Sequence, residues 1–142
     1  EGLAIDASGN LFVADSQNNT IRMVITSGSD LGKVTTVAGL AGTPGSDDGI
    51  GMAARFDDPV ALAIDANGML YIGDLGNNTV RQLVTTGSNQ WQVTTIVGHA
   101  GQQGVILGAA PGGLNLPIGL AIVAGGSLAI SDLNENSILL FR

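Results

Sequence analysis

The strongest constraint on this chain is internal repetition. The string ALAIDANGMLYIGDLGNNTVRQL at Ala61–Leu83 stands nearly unchanged at Gly2–Met23 and, more divergent, at Gly119–Phe141. Asp15 and Asp74 lie 59 positions apart and Asp74 and Asp132 lie 58 apart, and Asn19, Asn78 and Asn136 keep the same offsets. A unit of this kind buries its apolar face by stacking on its neighbours, so the chain is an array whose core forms between repeats.

Within the unit, LAID and Leu70–Asp74 are two short apolar runs around Ala66-Asn67-Gly68, which is a β-hairpin pattern. Asn67-Gly68, Ser8-Gly9-Asn10 and Gly125-Gly126 supply the positive φ that such turns need. Thr79–Leu83 alternates apolar and polar residues as a half-exposed strand does, and Val93–Val97, matched by Val34–Ala38, adds a fourth strand. The expectation is all-β: about three four-stranded antiparallel blades of a β-propeller. Blade 1 spans about 2–38 and blade 2 about 60–97, with loops at 39–59 and 98–117 and an incomplete blade 3 at about 118–142.

Composition narrows the function classes. Five basic and twelve acidic residues give a net charge of −7 with no basic cluster, which disfavours sequence-independent nucleic-acid binding. No apolar run approaches the roughly 18 residues of a membrane span. Without cysteine there is neither a disulfide framework nor thiolate chemistry. The 22 glycines fall at turns in repeat register and carry no collagen-like period.

Gly39–Pro59 is longer than a compact domain usually leaves unstructured, which makes it a candidate functional loop. The alternative is a spacer that anchors itself through Phe56 and Pro59 and packs between blades. Its counterpart, Gly98–Pro117, contains no acid, so Asp47-Asp48 is not part of a repeated metal site. An antiparallel meander reverses at every strand end, which predicts that the turns at 15–19, 74–78 and 132–136 share one end of the blades with both long loops. Asn18, Asn19, Asp47, Asp48, Asn77, Asn78, Asn134 and Asn136 are therefore the candidate binding face.

Asp15, Asp74 and Asp132 end the second strand of each repeat, where a carboxylate accepts hydrogen bonds from turn amides. Arg22 and Arg81 follow seven positions later on the return strand, within reach of an ion pair. All five are read as structural. Asn18-Asn19-Thr20 and Asn77-Asn78-Thr79 match the N-glycosylation pattern, yet paired asparagines in a tight turn also account for them.

The pattern resembles NHL repeats, P-x-G-hydrophobic-A-hydrophobic-D-x-x-G, then three hydrophobic positions, A-D-x-x-N and hydrophobic-R. It is matched at Ile5-Asp6, Gly9, Val13-Ala14-Asp15, Asn18 and Ile21-Arg22, and again at Pro59, Ile64-Asp65, Gly68, Ile72-Gly73-Asp74, Asn77 and Val80-Arg81. The third copy departs from it with Val123, Glu135 and Leu139 at the positions of Asp, Asn and Arg. The TVAG-type spacer at Thr36–Gly39, with Asp48-Gly49 and Phe56–Pro59, is similar to that of bacterial NHL proteins. The resemblance implies a six-bladed ring of which this chain supplies about half, closed by remaining blades of the same chain or by another copy.

What the resemblance implies for function is a non-catalytic binding or scaffold module for a protein, peptide or glycan, in an extracellular or periplasmic setting. The alternative is part of a propeller enzyme, a lyase or a lactonase-like hydrolase, whose metal ligands lie in other blades. The lone His99 begins a Gly-rich loop without a second His or Cys, and no GxSxG, P-loop or HExxH string is present. No catalytic residue, metal or cofactor is therefore expected within these residues.

Overall fold

The computed structural model describes residues 1–87, 90–106 and 112–142. Among them the chain forms three antiparallel sheets. The first runs β1 (Leu3–Ile5), β2 (Leu11–Asp15), β3 (Thr20–Val24) and β4 (Val34–Ala38) in sequential order. The second contains β6 (Pro59–Ile64), β7 (Leu70–Asp74), β8 (Thr79–Thr85) and β9 (Trp91–Val97), and its free side is extended by β5 (Gly49–Ile50). The third holds β10 (Pro117–Ile122), β11 (Leu128–Asp132) and β12 (Ser137–Phe141). A fifth strand donated by the spacer was not legible in the repeat. Ser88 and Asn89, between β8 and β9, and residues 107–111 of the second long loop lie outside the described residues.

Each sheet exists because its strands alternate, and each face then needs a neighbour. Leu62 and Ile64 of β6 join Ala4, Phe12, Ala14, Ile21 and Phe56 in a core between the first and second sheets. Ala63 and Tyr71 join Leu120, Ile122, Leu128 and Ile130 in a second core between the second and third. Each fully buried Leu, Ile or Phe contributes about 1.5–3 kcal/mol, so the stacked faces dominate stability. Leu3 and Ile5 on the free face of the first sheet remain 61% and 62% exposed, and Ile138 and Leu140 on that of the third 78% and 59%.

The hairpin turns follow from local chemistry. Asp65 Oδ1 accepts the amides of Asn67 and Met69, and Asp6 Oδ1 those of Ser8 and Asn10. Where Val123 replaces this Asp, two successive glycines at positive φ, Gly125 and Gly126, make the turn instead.

At the other end of each blade, β2 and β7 lead into short 3-10 turns, Ser16–Asn18 and Leu75–Asn77, closed by Asn19 and Asn78 in left-handed conformation. Gly39 and Gly98 pass directly over those turns at φ +90° and +86°. A Cβ on Gly39 would sit 2.4 Å from the Asn19 carbonyl oxygen, so only glycine fits. Gly39→Ala is expected to destabilise by at least about 2 kcal/mol, whereas Gly28→Ala, left-handed but with open space around it, should lose only about 1 kcal/mol. Urea denaturation of both variants checks the difference, and equal losses would refute the steric reading.

Candidate functional site

The end of the molecule that carries the long spacer is built around Arg81. Its side chain is fully buried although it is charged, which is tolerable only with paired, hydrogen-bonded partners. A bulge between Val80 and Arg81 sets Arg81 opposite Thr95 of β9 and aims it at the spacer. Nη1 donates to Asp74 Oδ2 at 2.9 Å and to the Arg55 carbonyl at 2.9 Å. Nη2 donates to Asp48 Oδ1 at 2.6 Å and to the Asp47 carbonyl at 3.0 Å. The Phe56 ring lies 5.4 Å from the guanidinium carbon.

Both carboxylates are engaged further. Asp74 also accepts the Asp57 amide at 2.8 Å and the Asn77 side-chain amide at 2.8 Å. Asp48 accepts both the backbone amide and the hydroxyl of Thr95. Gly49-Ile50 then pairs with Gln92-Val93, which is why β5 forms at this point. The spacer thus fixes itself to the second blade through one ion cluster, one aromatic anchor and two residues of strand.

Asparagines fasten one blade to the next. Asn19 Oδ1 accepts the Asp58 amide and Asn78 Oδ1 accepts the Leu116 amide, at 2.9 and 3.0 Å. Asp58 and Leu116 are themselves held at positive φ. Ser16 Oγ donates to the Pro59 carbonyl across the first junction at 2.6 Å.

The candidate face therefore divides. Asn77 and Asn78 are buried, with Asn77 Nδ2 donating to Gly45 O, and Asn19 works as a fastener. This corrects the placement of Asn77 and Asn78 on the candidate binding face, and it removes Asn77 as an accessible glycosylation acceptor. Asp48 is occupied by Arg81 and Thr95. Asn18, Asp47, Asn134 and Asn136 stay exposed, although Asn18 donates to Asp15 and Asn134 to Asn115. Asp132 accepts the amides of Asn115 and Glu135, Asp74 that of Asp57 together with the Asn77 side chain, and, among the described residues, Asp15 accepts only the Asn18 side-chain amide. Arg22 reaches Asp15 only at 4.0 Å. His99 is exposed in its loop. Among the described residues no three His, Cys, Asp or Glu side chains gather as metal ligands, and no helix is long and apolar enough to cross a membrane.

No family model matches the chain. Teneurin-4 of human and of mouse is 32% identical over 96 residues, which is 56% of this chain and 3% of teneurin-4, so the chain spans a small fraction of these relatives. Among solved structures, an auxiliary nutrient binding protein from Bacteroides thetaiotaomicron superposes with a TM-score of 0.77 at 18% identity over 99% of this chain and 37% of its own. One from Bacteroides ovatus gives 0.76 at 21% identity over 96% and 35%. Virginiamycin B lyase from Staphylococcus aureus gives 0.63 at 16% over 99% and 37%. The chain is a partial β-propeller. Its three sheets are blades, and the propeller chains it resembles are about three times as long.

Removing Asp74 would leave Arg81 buried with half of its charge partners. Asp74→Ala should therefore destabilise by about 3–5 kcal/mol, above the 1–3 kcal/mol of a lost turn hydrogen bond. A loss under about 1 kcal/mol in equilibrium unfolding would refute this.

The two acids respond oppositely to pH. Burial pushes the Asp74 carboxyl up to about 6, against the opposing pull of the Asn77 amide, the Asp57 N–H and Arg81. Partial burial also disfavours the Asp48 carboxylate, but the Thr95 N–H, Arg81 and the Thr95 hydroxyl outweigh it and hold its pKa below the usual value. A raised folded pKa stabilises the fold fully below the unfolded value of about 3.9, and that stability is lost as pH rises through 6. A lowered one stabilises above the unfolded value and is lost as pH falls through the folded value. Stability should hence rise by roughly 1 kcal/mol from pH 7 to 5 and fall again below about pH 4. Denaturant melts across this range test it, and the rise should vanish in Asp74→Asn.

Proposed function

We propose that the chain is part of an NHL-type β-propeller that acts as a non-catalytic binding or scaffold module, with the spacer-rich end as its binding face. The observation that carries this is the fate of three acids at that end, two from the repeat and one from the spacer. Asp74, Asp48 and Asp132 are all committed to turn amides, strand amides or Arg81. What remains at that end is a rigid rim of exposed polar residues, among them Gln17, Asn18, Asp47, Asn134 and Asn136. Recognition residues on loops held by a rigid scaffold are the common arrangement for binding. Likeness to two auxiliary nutrient binding proteins supports a binding role, and we assign it a glycan, peptide or protein ligand in an extracellular or periplasmic setting. The exposed apolar faces of the first and third sheets support further blades that complete a six-bladed ring.

A second reading is favoured by the likeness to virginiamycin B lyase: a propeller enzyme whose reactive groups sit in other blades. Binding of soluble glycans and peptides to the intact protein separates the candidate surfaces. Gln17→Arg and Asn134→Arg at the spacer-rich end should weaken binding at least about tenfold, a loss of about 1.4 kcal/mol, while Ala66→Arg on the opposite turn should leave it unchanged. The reverse pattern would reject this face, and turnover of a bound compound would favour the enzyme.

A further inference from the structure

The clamp around Arg81 is filled, and the repeat provides the same receptor once more in the first blade. Arg22 aligns with Arg81 and Asp15 with Asp74, and a matching bulge between Ile21 and Arg22 sets Arg22 opposite Thr36, as Arg81 is set opposite Thr95. In the second blade the spacer supplies Asp48 to the arginine and to Thr95, the Asp57 amide to Asp74, and β5 to the outer edge of β9. In the first blade these groups are open. Arg22 and Asp15 have side chains about 30% exposed where their counterparts are fully buried, Thr36 is exposed, and β4 is an edge strand. A cavity of about 310 Å³, lined by Glu1 together with Asp15, Ser16, Gln17 and Asn18, lies over the positions that Gly45 and Asp57 cover in the second blade.

The sequence shows which chemistry fills such a receptor. Asp48 in the spacer accompanies Arg81 in the blade it enters. In the third repeat Leu139 stands at the arginine position, and the spacer leading into that blade contains no acid. Arginine and spacer carboxylate thus come and go together. A buried guanidinium without its carboxylate is strongly disfavoured, and so is the reverse.

We propose that the flank of the first blade formed by Arg22, Asp15, Thr36 and the β4 edge is a docking site for the spacer of an adjoining repeat. That segment carries a carboxylate followed by glycine and an aliphatic residue, then an aromatic ring that seats under Arg22. The site adjoins the polar rim assigned to ligand binding and shares Gln17 and Asn18 with it, but its test turns on Arg22 and Asp48 and is read with a spacer peptide, so it can fail without that reading failing. The β4 edge contributes backbone pairing of the kind used in strand addition, and the carboxylate and ring determine which segment is accepted.

The test uses the chain with a fluorescently labelled synthetic peptide of its own Gly39–Pro59 sequence. Anisotropy should report saturable binding that weakens as salt rises. An Asp48→Asn peptide, or Arg22→Leu in the chain, should each weaken binding about tenfold or more, and combining them should weaken it no further. Leucine is the residue that the third blade itself uses at this position, and circular dichroism confirms that the variant folds. The peptide substitution tests the pairing even where Arg22→Leu perturbs the blade. Absence of saturable binding, or equal binding of native and Asp48→Asn peptides, would overturn the proposal.

Discussion

A small antiparallel sheet with two apolar faces is not stable alone, and everything in this chain answers that constraint. β6 shows it most directly. Leu62 and Ile64 leave one face of the strand for the core shared with the first blade, while Ala63 leaves the other for the core shared with the third. Stability is therefore held in junctions, and a blade without a neighbour keeps residues such as Ile5 and Ile138 in water.

Apolar burial is non-directional, so it does not by itself fix how one blade sits on the next. The directional information comes from polar groups at the spacer-rich end. Asn19 and Asn78 each hold one amide of the segment entering the following blade, and their left-handed backbone exposes the carbonyl that Gly39 or Gly98 must cross. Arg81 then ties the spacer to strands β7 and β8 of the blade it enters. With hydrogen bonds to two carboxylates and two carbonyls, the guanidinium is compensated well enough to be buried.

Much of this was legible in the sequence because the repeat superposes independent copies of one physical solution. The 59-residue offset gives the strands and turns, and the Asp-to-Arg spacing gives the pair realised by Asp74 and Arg81. The role of Asp48 was not read, since its partner lies 33 positions away in another element. The signal was present as a joint loss, acid missing from the second long spacer and arginine replaced by Leu139. Asn77 and Asn78 were misplaced for a related reason. Polar residues in a turn are usually solvated, and only the path of the spacer, which passes over these turns, shows that they are buried.

That misplacement bears on where specificity resides. Residues that define the repeat are those whose chemistry every junction needs, and they are for that reason unavailable to a ligand. Asp74, Asn77, Asn78 and Arg81 are all buried. The exposed position in the same turns varies from copy to copy: Gln17 aligns with Gly76 and Asn134. Each blade so presents a different side chain on the same backbone. A propeller face built in this way gains selectivity from what differs between repeats, held in register by what does not.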